Sequence, residues 1–197
     1  MIIDYQEIEP SLRYKLTAQS VIPRPIAWIV TENGVVNVAP FSYFTPLSSN
    51  PPTLMVSIGH KSDGSPKDTL RNIRETKKCT VCIGDISQLK KMHYSSKELD
   101  KNISEADCFD IDLVYIDKDF PPMIKDVPVA FFCKFYQEIE LKESKTIPVI
   151  LEIKKEYIDK GIVTDKEKFH IDFTPIARIG AHYSTLGRKI AAPEIMG

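Results

Sequence analysis

The sequence lacks the features that mark exported, membrane-spanning and nucleic-acid-binding proteins. Its amino terminus, MIIDYQEIEP, has neither the basic nor the apolar segment of a signal peptide, and no apolar run approaches the ~18 residues that span a bilayer. The 26 basic and 27 acidic residues leave a formal net charge of −1, which provides no field to gather nucleic acid or anionic lipid. We therefore expect a cytoplasmic protein that binds neither nucleic acid nor membrane.

Cysteine and histidine are also scarce. Four cysteines in 197 residues do not make a disulfide framework, and a reducing compartment keeps them as thiols. Cys79 and Cys82 form a Cys-x-x-Cys pair, but they lie in the β-branched run CTVCIG, where residues three apart point to opposite faces of a strand. Buried structural thiols are therefore predicted in place of a redox or zinc site. The four histidines, which are too scattered to indicate a metal, are His60, His93, His170 and His182.

Glycine occurs only eight times and proline fourteen times, and neither is concentrated in a linker. There is no internal repeat and no low-complexity tract. A chain of 197 residues is long enough for one sizeable core and short for two. We expect one domain over residues 1–197.

Apolar and β-branched runs predict a series of short strands in the first half of the chain. Residues 26–31 and 35–39 form two of them, joined by an Asn-Gly pair that suits a type I′ hairpin turn because both central residues of that turn need positive φ. Residues 53–58 and 79–83 are predicted as two more strands. Between them, Ser65 suits the N-cap of a helix with Pro66 in its first turn, and Lys77 and Lys78 in its last turn.

The second half is again rich in predicted strands. Residues 133–141 alternate apolar with polar side chains, which indicates a half-buried antiparallel strand. Residues 142–145 form a turn and 146–157 the partner strand, whereas 86–106 suggest short helices. The pattern predicts a mainly β protein, a small antiparallel barrel with helical additions.

Two polar segments suggest a ligand site. The stretch NVAPFSYFTPLSSNPP, residues 37–52, mixes hydroxyls and amides with aromatic residues and prolines, which suits a ligand with a flat apolar ring and a polar edge. Lys67 and Thr69 stand at the start of the predicted helix, where free N–H groups favour a phosphate. A serine-rich loop on a barrel rim and an ordinary capped helix with a solvated lysine explain the same residues equally well.

The order and spacing of several motifs resemble one family. The segment PRPIAWIVTENGVVNVAPFSYFTPLSSNPPTLMVSIG, followed by DGSPKDTLRNIRETKKCTVCI, closely resembles the flavin reductase-like, FMN-binding split-barrel family, which includes flavoredoxins. The resemblance runs from about residue 20 to 83 and returns at PIARIGAHY, residues 175–183. It implies an FMN-binding split β-barrel with Greek-key topology.

The resemblance also implies a homodimer with FMN near the subunit interface. Ser42, Thr45 and Ser48 would face the ribityl chain or the phosphate, and the backbone around Pro40 and Phe41 would meet the isoalloxazine. Trp28 and residues 178–183 would line the pocket, the latter from either subunit. The full set of candidate FMN contacts is Trp28, Asn37, Pro40, Phe41, Ser42, Thr45, Ser48, Lys67, Asp68, Thr69, His182 and Tyr183.

The resemblance leaves the electron donor open. Two functions are predicted: an FMN-dependent oxidoreductase that takes electrons from NADH or NADPH, or a flavoredoxin-like carrier reduced by a redox partner protein. A split barrel that binds no flavin is a third possibility. Many related reductases have Gly-Asp-His where this chain has Lys-Glu-Ser-Lys at 142–145, which disfavours fast nucleotide oxidation. Arg24 could place a cation at the flavin N1–C2=O edge, or be an exposed arginine held between two prolines.

Overall fold

The computed structural model describes residues 1–195, and the prediction of a mainly β protein is confirmed. The α-helices are α1 Pro10–Ser20, α2 Asp68–Thr76, α3 Leu89–Tyr94 and α4 Glu105–Cys108, with short 3-10 turns at Ile86–Gln88 and Lys160–Ile162. The strands are β1 Arg24–Pro25, β2 Ala27–Asn33, β3 Val35–Phe41, β4 Phe44–Ser49, β5 Pro52–Gly59, β6 Lys78–Ile83, β7 Leu113–Val114, β8 Met123–Ile124, β9 Val129–Glu138, β10 Thr146–Ile158, β11 Val163–Asp165, β12 His170–Ile171, β13 Ile176–Ile179 and β14 His182–Thr185.

Seven strands form one antiparallel sheet in the order β3-β2-β6-β9-β10-β5-β4. Six of them are the strands predicted from the sequence. Register shifts interrupt the β9–β10 and β4–β5 pairings, and such bulges bend a strand and increase its twist. The sheet therefore curls into a half-barrel, with β3 and β4 as its two edges. A smaller sheet, β1-β13-β14, joins the two ends of the chain.

The hairpin between β2 and β3 forms where predicted, but its turn differs. The register pairs Thr31 with Asn37 and Asn33 with Val35, so one residue, Gly34, lies at the centre of the turn. Gly34 has a φ of 78°, whereas Asn33 belongs to β2 and does not have the positive φ that a type I′ turn requires. The type I′ prediction is therefore wrong, because a single left-handed glycine closes this hairpin.

Helix α2 begins later than predicted. Ser65 is not its N-cap, since the Ser65 N–H and hydroxyl both donate to Asp63 Oδ1, at 2.8 and 2.6 Å. Pro66 forms a bridge with His60, and the helix starts at Asp68. Local turn bonds thus hold residues 63–66 outside the helix. At the other end, Lys77 takes a left-handed conformation with a φ of 62°, and β6 follows directly.

Two hydrophobic clusters lie on opposite faces of the curled sheet. Trp28 and Val30 belong to one cluster and Ile29 to the other, as the alternation along a strand requires. Cys82 lies in the first cluster and Cys79 in the second, so the prediction of buried thiols on opposite faces is confirmed. Burial raises the pKa of the Cys82 thiol to about 12, which keeps it protonated and unreactive.

The remaining segments were predicted less well. Residues 86–106 contain short helices, as expected. The strand predicted over 133–141 instead covers Val129–Glu138, which leaves Leu141 exposed. Helix α1 was not predicted, and it packs only Ala18 into the core. Within residues 1–195, no helix is long and apolar enough to cross a membrane.

Candidate functional site

Three adjoining cavities form a groove beside the edge strand β3. A polar cavity of about 70 Å³ is lined by Asn37, Lys67 and Thr69, and a central cavity of about 180 Å³ by Pro40 and Ser42. The two share Ser96 in their walls. The third, an apolar cavity of about 570 Å³, lies between α1 and the β13–β14 hairpin and shares Tyr14 and Arg178 with the central cavity.

The position of β3 at the sheet edge explains why a groove can form there. Its outward backbone groups have no strand partner, and one of them, the Val38 N–H, donates to Glu105 Oε2 at 2.9 Å. Pro40, two residues further on, has its backbone on the same side and no N–H to satisfy. Glu105 from α4 therefore satisfies the N–H group at the middle of the exposed edge, and Pro40 has no N–H group to leave unpaired near its end.

The polar cavity presents cations and hydroxyls. Lys61, Lys67 and Lys97 line it together with the hydroxyl of Thr69, which accepts from Asn37 Nδ2 at 2.9 Å. Asp68 also lines the cavity, but its carboxylate is paired with Lys61 at 2.7 Å and with Arg71 at 2.5 Å. Because Asp68 is neutralised, the cavity can accept an anion beside Lys67.

Two more carboxylates, Glu98 and Glu105, line the polar cavity, and Glu105 is the buried one of the two. Its side chain is buried, and this burial raises its pKa although the hydrogen bond from Val38 opposes the shift. A raised pKa makes the carboxyl easier to protonate near an incoming anion.

The central cavity combines an aromatic pair with a cation. Nδ1 of His93 lies 3.0 Å from the Tyr183 hydroxyl, and the two rings meet edge to face with centroids 5.7 Å apart. The guanidinium of Arg178 lies 4.5 Å from the centre of the Tyr183 ring, across the β13–β14 pair. With Pro40 and Ile26 opposite, the walls can hold a flat ring and offer it hydrogen-bond donors.

Most of the residues predicted to contact FMN line this groove, although their contacts with FMN stay a prediction. Phe41 lies just beneath it, buried in the core, with Lys67 Nζ 6.0 Å from its ring centre. The eight that line the groove are Asn37, Pro40, Ser42, Lys67, Asp68, Thr69, His182 and Tyr183.

Trp28 does not line the groove. Its side chain is fully buried in the first hydrophobic cluster, and its Nε1–H donates to Ser95 Oγ at 2.9 Å. A ring with no exposed surface cannot line an open pocket, so Trp28 is a core residue that positions the segment carrying Ser95 and Ser96.

Thr45 and Ser48 lie outside the groove of the single chain. Both are exposed on β4, the far edge of the sheet, and both use their hydroxyls locally. Thr45 Oγ1 donates to Pro46 O, and Ser48 Oγ accepts from Asn50 N. The structure therefore does not bring them together with Lys67 and Thr69.

Arg24 is buried, so its interpretation as an exposed arginine is wrong. Its guanidinium donates to the Ala18 and Val21 carbonyls at the end of α1 and lies 5.8 Å from the Tyr43 ring centre. Nε and Nη2 have no hydrogen-bond partner among the described residues. Arg24 lines none of the three cavities and instead fastens α1 to the sheet.

Several groove residues were missed by the sequence analysis. Tyr14 comes from the unpredicted helix α1, His93 from α3, Ser96 and Lys97 from the turn that follows α3, and Glu105 from α4. These residues lie far from β3 in the sequence and share no motif with it. For the four residues after β6, the only indication in the sequence was the prediction of short helices over residues 86–106. Tyr14 had no indication in the sequence.

Comparison with known proteins gives a consistent family assignment. The chain matches the flavin reductase like domain over residues 19–170. It is 32% identical to YwrF of Bacillus subtilis over 186 residues, which is 89% of this chain and 90% of that protein.

Two solved structures share the fold along their whole length. Nitrilotriacetate monooxygenase component B from Bacillus cereus is 26% identical, with a TM-score of 0.88 and 98% of each chain covered. The 2-nitrobenzoate 2-nitroreductase NbaA from Pseudomonas fluorescens is 28% identical, with a TM-score of 0.88, covering 100% of this chain and 98% of that one. The half-barrel is thus the split β-barrel that the sequence predicted, and the chain belongs to the flavin reductase-like family.

Proposed function

We propose that the protein is an FMN-dependent oxidoreductase that binds FMN non-covalently in the groove along β3. The observation that carries this proposal is the two-part character of the groove, which has lysines and hydroxyls at one end and a mixed wall of Pro40, Tyr183 and Arg178 at the other. FMN has the same two-part character, with a dianionic phosphate and a flat ring. The similarity to a monooxygenase component and a nitroreductase supports redox chemistry.

The polar cavity would hold the FMN phosphate. Lys67 provides a cation at the start of α2, and Thr69 provides a hydroxyl in the first turn of that helix. The N–H groups of this turn point the same way as the positive end of the helix dipole. Because Lys61 is engaged with Asp68, Lys67 is the cation best placed to respond to the phosphate.

The central cavity would hold the isoalloxazine ring, between Pro40 and the Tyr183 side chain. When bound there, FMN supplies hydride and electron transfer, and the protein supplies orientation and electrostatics. Arg178 places positive charge beside the ring site, where it would favour the more negative reduced form. Tyr183 would offer its hydroxyl at the same wall, held in place by its contact with His93 Nδ1.

NADH or NADPH is the proposed electron donor, and free flavin or a redox partner protein the acceptor. A flavoredoxin-like carrier is the second candidate, favoured by the absence of a histidine from the 142–145 turn. Steady-state oxidation of NADH or NADPH with added FMN separates the two, because a carrier would leave the nucleotide unoxidised.

A homodimer is also proposed, because the groove is open to solvent along one side and a partner subunit would cover it.

The test of the FMN proposal is the identity of the bound chromophore. Protein purified under native conditions should carry a yellow flavin, and denaturation should release FMN. Recovery of mainly FAD, or an apoprotein that takes up no FMN, would refute it.

A further inference from the structure

We propose that the apolar cavity is the binding site for a small aromatic carboxylate, whose anionic group is bound by Arg178. This inference rests on the proposed function, because it makes the cavity the site of a second reactant beside the flavin ring. The argument uses the size of the cavity, its walls, its charge and the position of Arg178.

The cavity has the size and walls of a small-molecule site. Its volume of about 570 Å³ falls within the roughly 300–1,000 Å³ of typical ligand pockets. Ala18, Ile22 and Ile179 give it apolar walls, and the exposed ring of Tyr14 forms a flat face at its entrance. Tyr14 is held by stacking on Tyr43, with ring centres 5.8 Å apart and planes 24° from parallel. A flat apolar body can therefore be sandwiched against a fixed ring.

The charge of the cavity is positive. Arg178 and Lys15 line it together with His182, and among the described residues its lining contains no carboxylate. Arg178 forms no ion pair within residues 1–195, and its guanidinium makes a cation–π contact with the Tyr183 ring. An arginine without a carboxylate partner, facing an apolar space, favours an anionic ligand that can supply the missing partner.

The donors in the cavity suit a carboxylate better than a phosphate. No serine or threonine is among its lining residues, whereas the polar cavity offers Thr69 and Ser96 together with three lysines. A phosphate needs several donors, and a planar guanidinium can satisfy a carboxylate alone through two parallel hydrogen bonds. The two ends of the groove therefore differ in the anion that they select.

The position of Arg178 links this cavity to the flavin site. Arg178 lies in the middle strand of the β1-β13-β14 sheet and lines both the apolar and the central cavity. A carboxylate bound to it would place an attached ring between Tyr14 and the proposed isoalloxazine site. Lys15, by contrast, lines only the apolar cavity and lies on the exposed side of α1.

The test uses equilibrium dialysis of the FMN-loaded protein with 2-naphthoate, with the neutral 2-naphthamide of the same shape, and with nicotinamide mononucleotide. We expect naphthoate to bind and naphthamide to bind much more weakly. Arg178→Gln should weaken naphthoate binding about tenfold or more. Arg178→Lys should bind naphthoate more tightly than Arg178→Gln but less tightly than the wild type. Lys166→Gln removes the charge of an exposed lysine that lines none of the three cavities, and this control should change naphthoate binding by about twofold or less.

Three results would overturn the inference. Equal binding of naphthoate and naphthamide would show that the anion is not recognised, and unchanged naphthoate binding in Arg178→Gln would show that Arg178 does not recognise it. Arg178-dependent binding of the mononucleotide without binding of naphthoate would assign the cavity to a phosphate. Flavin fluorescence quenching, measured separately on each variant, reports FMN binding. A wild-type protein that binds naphthoate but no FMN would refute the proposed function and leave the carboxylate site standing.

Discussion

The sequence analysis predicted that Lys67, Thr69, Thr45 and Ser48 all contact FMN, but the structure places these residues in two separate regions. Lys67 and Thr69 line the polar cavity, whereas Thr45 and Ser48, which the sequence grouped with them, lie on the far edge strand. In the single chain, only Lys67 and Thr69 of these four line the cavity in which we propose that the phosphate binds.

Replacing Lys67 with alanine should weaken FMN binding by about 1–3 kcal/mol, because it removes a charged partner of the phosphate. The binding of riboflavin, which has no phosphate, should be weakened much less. Flavin fluorescence titration measures both ligands. Lys166→Ala, an exposed lysine that lines none of the three cavities, is the control and should change neither affinity. Equal losses for FMN and riboflavin would show that Lys67 does not contact the phosphate.

Glu105 should make the stability of the protein depend on pH. Burial raises its pKa in the folded state, so the folded protein binds its proton more tightly than the unfolded chain does. The stability that this proton contributes is present below the unfolded-state pKa and is lost as the pH rises through the folded-state pKa.

Glu105→Gln isolates this effect, since the amide mimics the neutral carboxyl and its oxygen can still accept from the Val38 N–H. Between about pH 4 and pH 8, the melting temperature of the flavin-free wild type should fall relative to that of Glu105→Gln. Thermal unfolding followed by circular dichroism measures the difference. A difference that stays constant across this range would contradict a raised pKa.

At the scale of elements, the strands with clear periodicity were predictable and the helical additions were not. Alternation and β-branched runs located β2, β3, β5, β6, β9 and β10, because each strand buries one or both faces. Helix α1 buries only Ala18 and leaves Leu12 and Tyr14 exposed, so no apolar stripe marked it. The apolar cavity depends on this helix, which provides Tyr14, Lys15, Ala18 and Gln19 to its wall, so that part of the groove was missing from the sequence analysis.

The start of α2 and the hairpin turn were missed for a different reason. In both cases the residue types correctly predicted a helix start and a turn. The exact start residue and the turn type depend on nearby contacts that the residue types do not specify. Ser65 donates its hydrogen bonds to Asp63 and so does not cap the helix. The register of β2 and β3 leaves one residue at the centre of the hairpin turn, whereas a type I′ turn has two.

The hairpin geometry predicts a specific cost. Gly34→Ala should destabilise the protein by about 1–2 kcal/mol, because an L-residue is strained at the φ of 78° that this turn requires. The added methyl group meets nothing within 4 Å, so the loss comes from the backbone alone. Urea unfolding measures it.

Gly59→Ala is the matched control for this prediction. Its methyl group also meets nothing within 4 Å, but Gly59 does not have a positive φ. We expect Gly59→Ala to be close to neutral, and Gly34→Asn to lose less than Gly34→Ala, since asparagine tolerates the left-handed region. Equal losses for both alanine variants would attribute the effect to something other than φ.

At the scale of the molecule, the curled sheet leaves the outer sides of its two edge strands, β3 and β4, without a strand partner, and the groove opens along β3. A second subunit that covers this side would shield a bound flavin ring from water. We expect a dimer of about 45 kDa, twice the 22.4 kDa chain, in sedimentation equilibrium. A stable monomer that still retains FMN would contradict this expectation.

The last prediction concerns how electrons reach the flavin. The 142–145 turn, between β9 and β10, has Lys-Glu-Ser-Lys and no histidine, so a nicotinamide ring would lose one of its holding groups there. Electron transfer from a partner protein does not need a nicotinamide site, so a partner protein could still reduce the flavin. We therefore expect slow bleaching when NADH or NADPH is mixed anaerobically with the holoprotein, and FMN that stays bound through turnover. As a control, dithionite should bleach the flavin fully, which would show that the bound flavin can be reduced. Fast bleaching at micromolar nucleotide, with turnover that requires free FMN, would instead identify a reductase that uses flavin as a diffusing substrate.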